Sequence, residues 1–222
     1  MAQSQQQRQK ALERKAAKRK QKAKVARVQQ QMAPTETRLL SDVAPKWQLL
    51  EALVNVDWQN YTELTQILVA RKASDGRVAA AAYLVDLACL GVKSSVAHLF
   101  MSAGEYQSTL RSSMLNTAEF VPADINLIAK ILRDGSAFAA ELGFSPDPDF
   151  KLASRLIGDA DPDVVTTEVP LGDGSGKPVF IPGPDDNVLS IMARLERKVG
   201  KDGFTVLAPF GDAAFDDEDE DE

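Results

Sequence analysis

Four side chains able to do chemistry fall within thirteen positions: Asp86, Cys89, Lys93 and His98. A lysine close to a cysteine can lower its pKa and produce a nucleophilic thiolate, and a histidine can serve as its base if the fold brings the two together. A pocket near these residues would make the chain a thiol or acid–base enzyme. The competing reading is simpler: Cys89 stands between Ala88 and Leu90, the setting of an inert buried cysteine. His98, in Val96-Ala97-His98-Leu99-Phe100, reads as a satisfied structural residue before it reads as a base or ligand. The chain holds one cysteine and one histidine, which excludes an intramolecular disulfide and the common Cys/His zinc sites. No cofactor is implied.

Other motifs fail on inspection of their spacing. Gly172-Asp173-Gly174-Ser175-Gly176-Lys177 suggests a phosphate loop, but Leu171 stands where its first glycine belongs and Pro178 where Ser or Thr would follow the lysine. The dinucleotide fingerprint fails too, with Lys177 in place of its third glycine. Asp159, Asp161 and Asp163 open like a calcium loop and are the candidate metal ligands. Val164 and Pro170 occupy the positions of its glycine and bidentate glutamate, so it is not an EF-hand.

The charge distribution says more. A net charge of −6 over 222 residues hides three segments. Residues 1–31 hold ten cations (Arg8, Lys10, Arg14, Lys15, Lys18, Arg19, Lys20, Lys22, Lys24 and Arg27) and one acid, Glu13, a net +9. The last seven residues, Asp216 to Glu222, are all acidic. A run of cations without interleaved aromatics fits attraction to phosphates through counterion release, not base stacking. RNA or the ribosome is the expected partner of this arm, with a protein partner for the body as the alternative. The acidic tail could compete for the arm within the same chain. The bland reading of both ends is a pair of solvated tails.

These segments divide the chain into a basic arm over 1–33, disordered or transiently helical, a single domain over 34–209 and a disordered acidic tail over 210–222. The composition, 44% hydrophobic and 26% charged, is that of a globular protein with a real core. No stretch of about 18 apolar residues occurs, and no apolar region follows the basic N-terminus, so the expectation is a cytoplasmic protein without a membrane span.

Within the body, Trp47 to Val54 reads as a strand or a short helix, and Leu64 to Arg71 as a strand. Asp75-Gly76 is a hairpin turn, and Val78 to Leu87 is a returning strand apolar on both faces. Ser94 or Ser95 is expected to cap a helical turn through Phe100 and Met101, and Glu105 to Leu115 to form a further helix. Pro122 to Leu142 is predicted as the clearest helix, stopped by Gly143 and Phe144. Asp147-Pro148-Asp149 should start a helix to Ile157. Val164 to Leu171 and Val179 to Ile181 should pair over the 172–177 loop. Asp186 or Asn187 should cap a last helix through Val199, and Phe204 to Leu207 should close with a strand. Hairpins with helices between them predict an α+β fold, an antiparallel sheet packed with several helices.

Two segments resemble a family of uncharacterised bacterial proteins: Asp75-Gly76-Arg77 with Tyr83 to Lys93, and Leu142-Gly143-Phe144-Ser145-Pro146-Asp147-Pro148-Asp149-Phe150 through Gly158-Asp159. The similarity spans roughly residues 46–163. It implies a bacterial, cytoplasmic, single α+β domain and assigns no activity, so no functional residues carry over. Before Pro148, where the family pattern has His, this chain has Asp147.

Overall fold

The run Val78 to Val85 is apolar and buried on both of its faces, which places it in the middle of a sheet covered on both sides. In the computed structural model, which describes residues 34–207, β1 (Gln48–Asn55), β2 (Thr65–Lys72), β3 (Val78–Asp86), β4 (Gly91–Phe100) and β5 (Phe120–Pro122) form one antiparallel sheet in the order β4-β3-β2-β1-β5. The arm and the acidic tail lie outside the described residues. The β2–β3 hairpin turns at Asp75-Gly76, where the Asp75 carboxylate accepts from Arg77 N and from its guanidinium.

Period-two side chains separate the two faces. Ala52, Val54, Ile67, Val69, Ala79, Ala81, Tyr83 and Val85 point to one face, under Ile128, Ile131 and Leu132 of the long helix Ile125–Glu141 and under Ala153 and Leu156. Leu53, Leu68, Ala70, Val78, Ala80 and Phe100 point to the other, where Tyr106 covers them. Each fully buried Ile or Leu here contributes about 1.5–3 kcal/mol. The helices, in chain order, are α1 (Pro34–Arg38), α2 (Ala103–Tyr106), α3 (Ser112–Leu115), α4 (Ile125–Glu141), α5 (Phe150–Ala153) and α6 (Val188–Val199). A π-helical turn joins α2 to α3, so residues 103–115 run as one helical segment. It is pinned to the sheet by Glu51, which accepts from the Tyr106 hydroxyl at 2.6 Å and from Arg111 Nε at 2.9 Å. Arg71 ties the opposite layer down, donating to the carbonyls of Leu156, Ile157 and Trp47 at 2.7, 2.8 and 2.9 Å.

A third cluster, Cys89, Leu90, Leu142, Phe180, Leu195 and Phe204, fastens α6 and the C-terminal segment to the β3–β4 turn. Here β6 (Val179–Phe180) pairs in parallel with β7 (Thr205–Val206). Gly143 takes a φ of +86° as α4 ends, with Gly143 N and Phe144 N bonded to the carbonyls of Ala140 and Ala139, the glycine stop expected from sequence.

The structure departs from the sequence reading in four places. The expected helical turn from Ser94 to Met101 is strand β4, because β3 offers a continuous ladder that outweighs local capping. The expected hairpin over 172–177 does not form: residues 164–171 join no strand, while Gly172 N and Val179 N bond to the carbonyls of Leu87 and Ala88, and β6 finds its partner in β7. The long helix begins at Ile125 under an Asp124 cap, and Pro122 belongs to β5. The helix expected from Pro148 is the short α5 followed by a 3-10 turn, Ser154–Ile157, with Asp147 holding Asp149 N and Ser95 Oγ.

Candidate functional site

The β3–β4 turn is built by a carboxylate. Asp86 ends β3, and its Oδ1 accepts from Ala88 N and Cys89 N, both at 2.9 Å, which folds four residues into a tight connection. Asp86 is buried, and that burial raises its carboxyl above the ordinary carboxylate value despite the turn amides and nearby Lys93. Gly91 starts β4 at φ +68°; a Cβ there would sit 2.7 Å from Ala139 Cβ and 3.0 Å from Gly135 O. Two glycines thus let the turn press directly onto α4.

Two positions later the ladder slips. Leu84 pairs with Ser94 and Val85 with Val92, which leaves Lys93 as the extra residue of a bulge. Bulges re-aim side chains. This one turns Lys93 towards the segment before α6, where its ammonium meets Asp186 Oδ2 at 2.8 Å. The same oxygen accepts from Gly183 N at 2.8 Å, closing the 183–186 loop. Asn187, not Asp186, caps α6 by accepting from Ser190 N.

Asp86 and Lys93 thereby face one cleft of about 340 Å³. Its floor includes Gln66 of β2 and Leu84 of β3, one wall is residues 61–64, and the other is Ile181, Pro182 and Gly183. The helical segment over 103–115 covers only part of this face of the sheet, and the cleft lies on a part it leaves open. Gln66 is held in place through Thr117 Oγ1, which donates to its Oε1 at 2.7 Å.

The other two members of the sequence quartet are elsewhere. Cys89 is fully buried and is not part of the cleft lining. Burial, with Asp86 next, pushes its thiol far above the ordinary range. His98 lies seven residues along β4 from Gly91, roughly 23 Å at strand rise, with its ring 4.7 Å from Phe100 and Nδ1 3.7 Å from Glu36 Oε1. The Cys89–His98 pair does not form. Asp161 accepts from Asp163 N, and Asp163 meets Arg133 NH1 at 2.5 Å, while Asp159 lies near enough to Arg71 to act on its charge. Among the described residues no group of three or more His, Cys, Asp or Glu side chains is placed to hold a metal ion. The ten arm cations lie outside the described residues.

Sequence reasoning missed Tyr61, Thr62, Glu63, Gln66, Ile181 and the partnership of Lys93 with Asp186. Ninety-three residues separate that pair, and nothing local announces it. No protein-family model, no curated protein and no solved structure matches the chain.

Proposed function

We propose that the chain is a non-enzymatic binding protein whose basic arm engages RNA phosphates, alone or on the ribosome. The observation that carries this reading is the division of charge: +9 on residues 1–31, against 16 Lys/Arg and 23 Asp/Glu on residues 34–207. An anionic body repels a polyanion, so the arm must supply the attraction. The enzyme alternative loses its nucleophile, since a buried thiol pushed upward is protonated at neutral pH and shielded from substrate. A lone cysteine and no membrane-long apolar helix among the described residues fit a cytoplasmic setting. The acidic tail tempers binding by competing with RNA for the arm.

Fluorescence anisotropy of a mixed-sequence RNA tests this with three chains: intact, lacking 1–33 and lacking 212–222. Loss of binding without the arm and tightening without the tail support the proposal. Undiminished binding without the arm overturns it.

A further inference from the structure

The cleft is unused by an arm that binds RNA, and its chemistry is specific. Glu63 and Asp86 bring two carboxyl groups to the lining against one ammonium, Lys93. That ammonium is already engaged by Asp186 at 2.8 Å, with the two side chains only 18% and 11% exposed. The charge left for a ligand to answer is negative. The remaining lining, Leu64, Leu84, Ile181 and Pro182 with Tyr61 at the rim, offers an apolar track. A volume of about 340 Å³ lies within the about 300–1,000 Å³ of small-molecule sites.

Asp86 also poses a question that the turn alone does not answer. Its Oδ1 caps the β3–β4 connection, a task the amide oxygen of Asn performs equally well. The turn amides and nearby Lys93 offset only part of the cost of keeping this carboxylate at 7% exposure, since burial still raises its pKa. A cation bound in the cleft would offset the rest.

From this cleft we infer that the protein binds a small linear alkylamine, with its ammonium between Glu63 and Asp86 and its methylene chain along Leu64, Leu84, Ile181 and Pro182. The Lys93–Asp186 pair fixes the 181–183 wall and sets the length of chain that fits. This site is independent of the arm and of RNA.

Calorimetric titration of the intact protein with 1-aminopentane at physiological salt tests the inference. It expects saturable one-to-one binding that weakens at least tenfold in Glu63→Gln and in Asp86→Asn, and is unchanged in Glu168→Gln, which neutralises a carboxylate outside the cleft. Should Asp86→Asn fail to fold, Glu63→Gln decides alone, because Glu63 is exposed and plays no part in the buried turn. Equal affinity in wild type and Glu63→Gln places the amine on the tail or the general surface and overturns the inference. So does the absence of binding, and so does tighter binding of pentanoate that is lost in Lys93→Gln, which would make the cleft an anion site.

Discussion

Replacing Gly91 by Ala should be among the most damaging single-methyl additions to this fold. Two costs add. A non-glycine residue in the left-handed region costs about 1–2 kcal/mol. A Cβ at 2.7 Å from Ala139 Cβ and 3.0 Å from Gly135 O meets one flank of a helix, not the end of a flexible side chain, and overpacking of this kind costs about 1–3 kcal/mol. The sum is about 2–5 kcal/mol from a domain whose whole stability is on the order of 5–15 kcal/mol. Urea unfolding followed by the fluorescence of Trp47 and Trp58 reads it: with a slope of about 2 kcal/mol/M, the midpoint should fall by about 1–2.5 M. Gly76→Ala is the internal control, with φ +92° and nothing within 4 Å of an added Cβ. It carries the backbone cost alone and should lose about 0.5–1 M. If Gly91→Ala is no worse than Gly76→Ala, the turn does not press on α4 as described.

Three further outcomes follow from the same geometry. Gly135→Ala should not recover the roughly 1 kcal/mol of helix propensity that Ala normally gains over Gly, because its Cβ would meet Leu87 Cδ2 at 2.9 Å and Val85 Cγ1 at 3.3 Å; a midpoint raised by more than about 0.25 M would contradict the packing. Cys89 should react with iodoacetamide at least about a hundredfold more slowly in the native protein than in urea, since access requires local opening; rapid native alkylation would show the thiol is neither buried nor held protonated. Burial raises the Asp86 carboxyl in the folded state, so the native state holds its proton more tightly than the unfolded chain. Its contribution to stability is therefore complete below about pH 4 and lost as pH rises through the native value. Asp86→Asn should gain stability relative to wild type over that window, and a difference that is flat with pH would place the titration elsewhere.

What could be read from the sequence was what depends on near neighbours. Asp75-Gly76 marked its hairpin because the Asp carboxylate and the glycine φ are both set within the turn. Gly143-Phe144 marked the end of α4 because its capping bonds reach only three to five residues back. The Ser94–Met101 error shows the limit: Ser-Ser can cap a helix, but the register of β3 decided the matter from outside the segment. Val164 to Leu171 reads as a strand by composition, yet no partner edge reaches it. Gly135, a residue that weakens a helix interior when judged by local propensity alone, is the point where α4 approaches Leu87 and Val85. In the candidate site, Asp86 and Lys93 could be singled out by type and spacing. Their shared cleft could not, because it depends on a one-residue bulge and on loops at 61–64 and 181–186 that close it from distant parts of the chain.

The central claim is that arm cations alone carry attraction to RNA. Its most direct test is the salt dependence of RNA affinity for the intact chain and for a full-length variant with all ten arm Lys and Arg residues changed to Gln. Ten phosphate contacts on single-stranded RNA give a slope of log affinity against log salt as steep as about −7. The account predicts a steep negative slope for the intact chain and no measurable binding for the variant. An unchanged affinity and slope in the variant would contradict it and return the search for a polyanion site to the folded body.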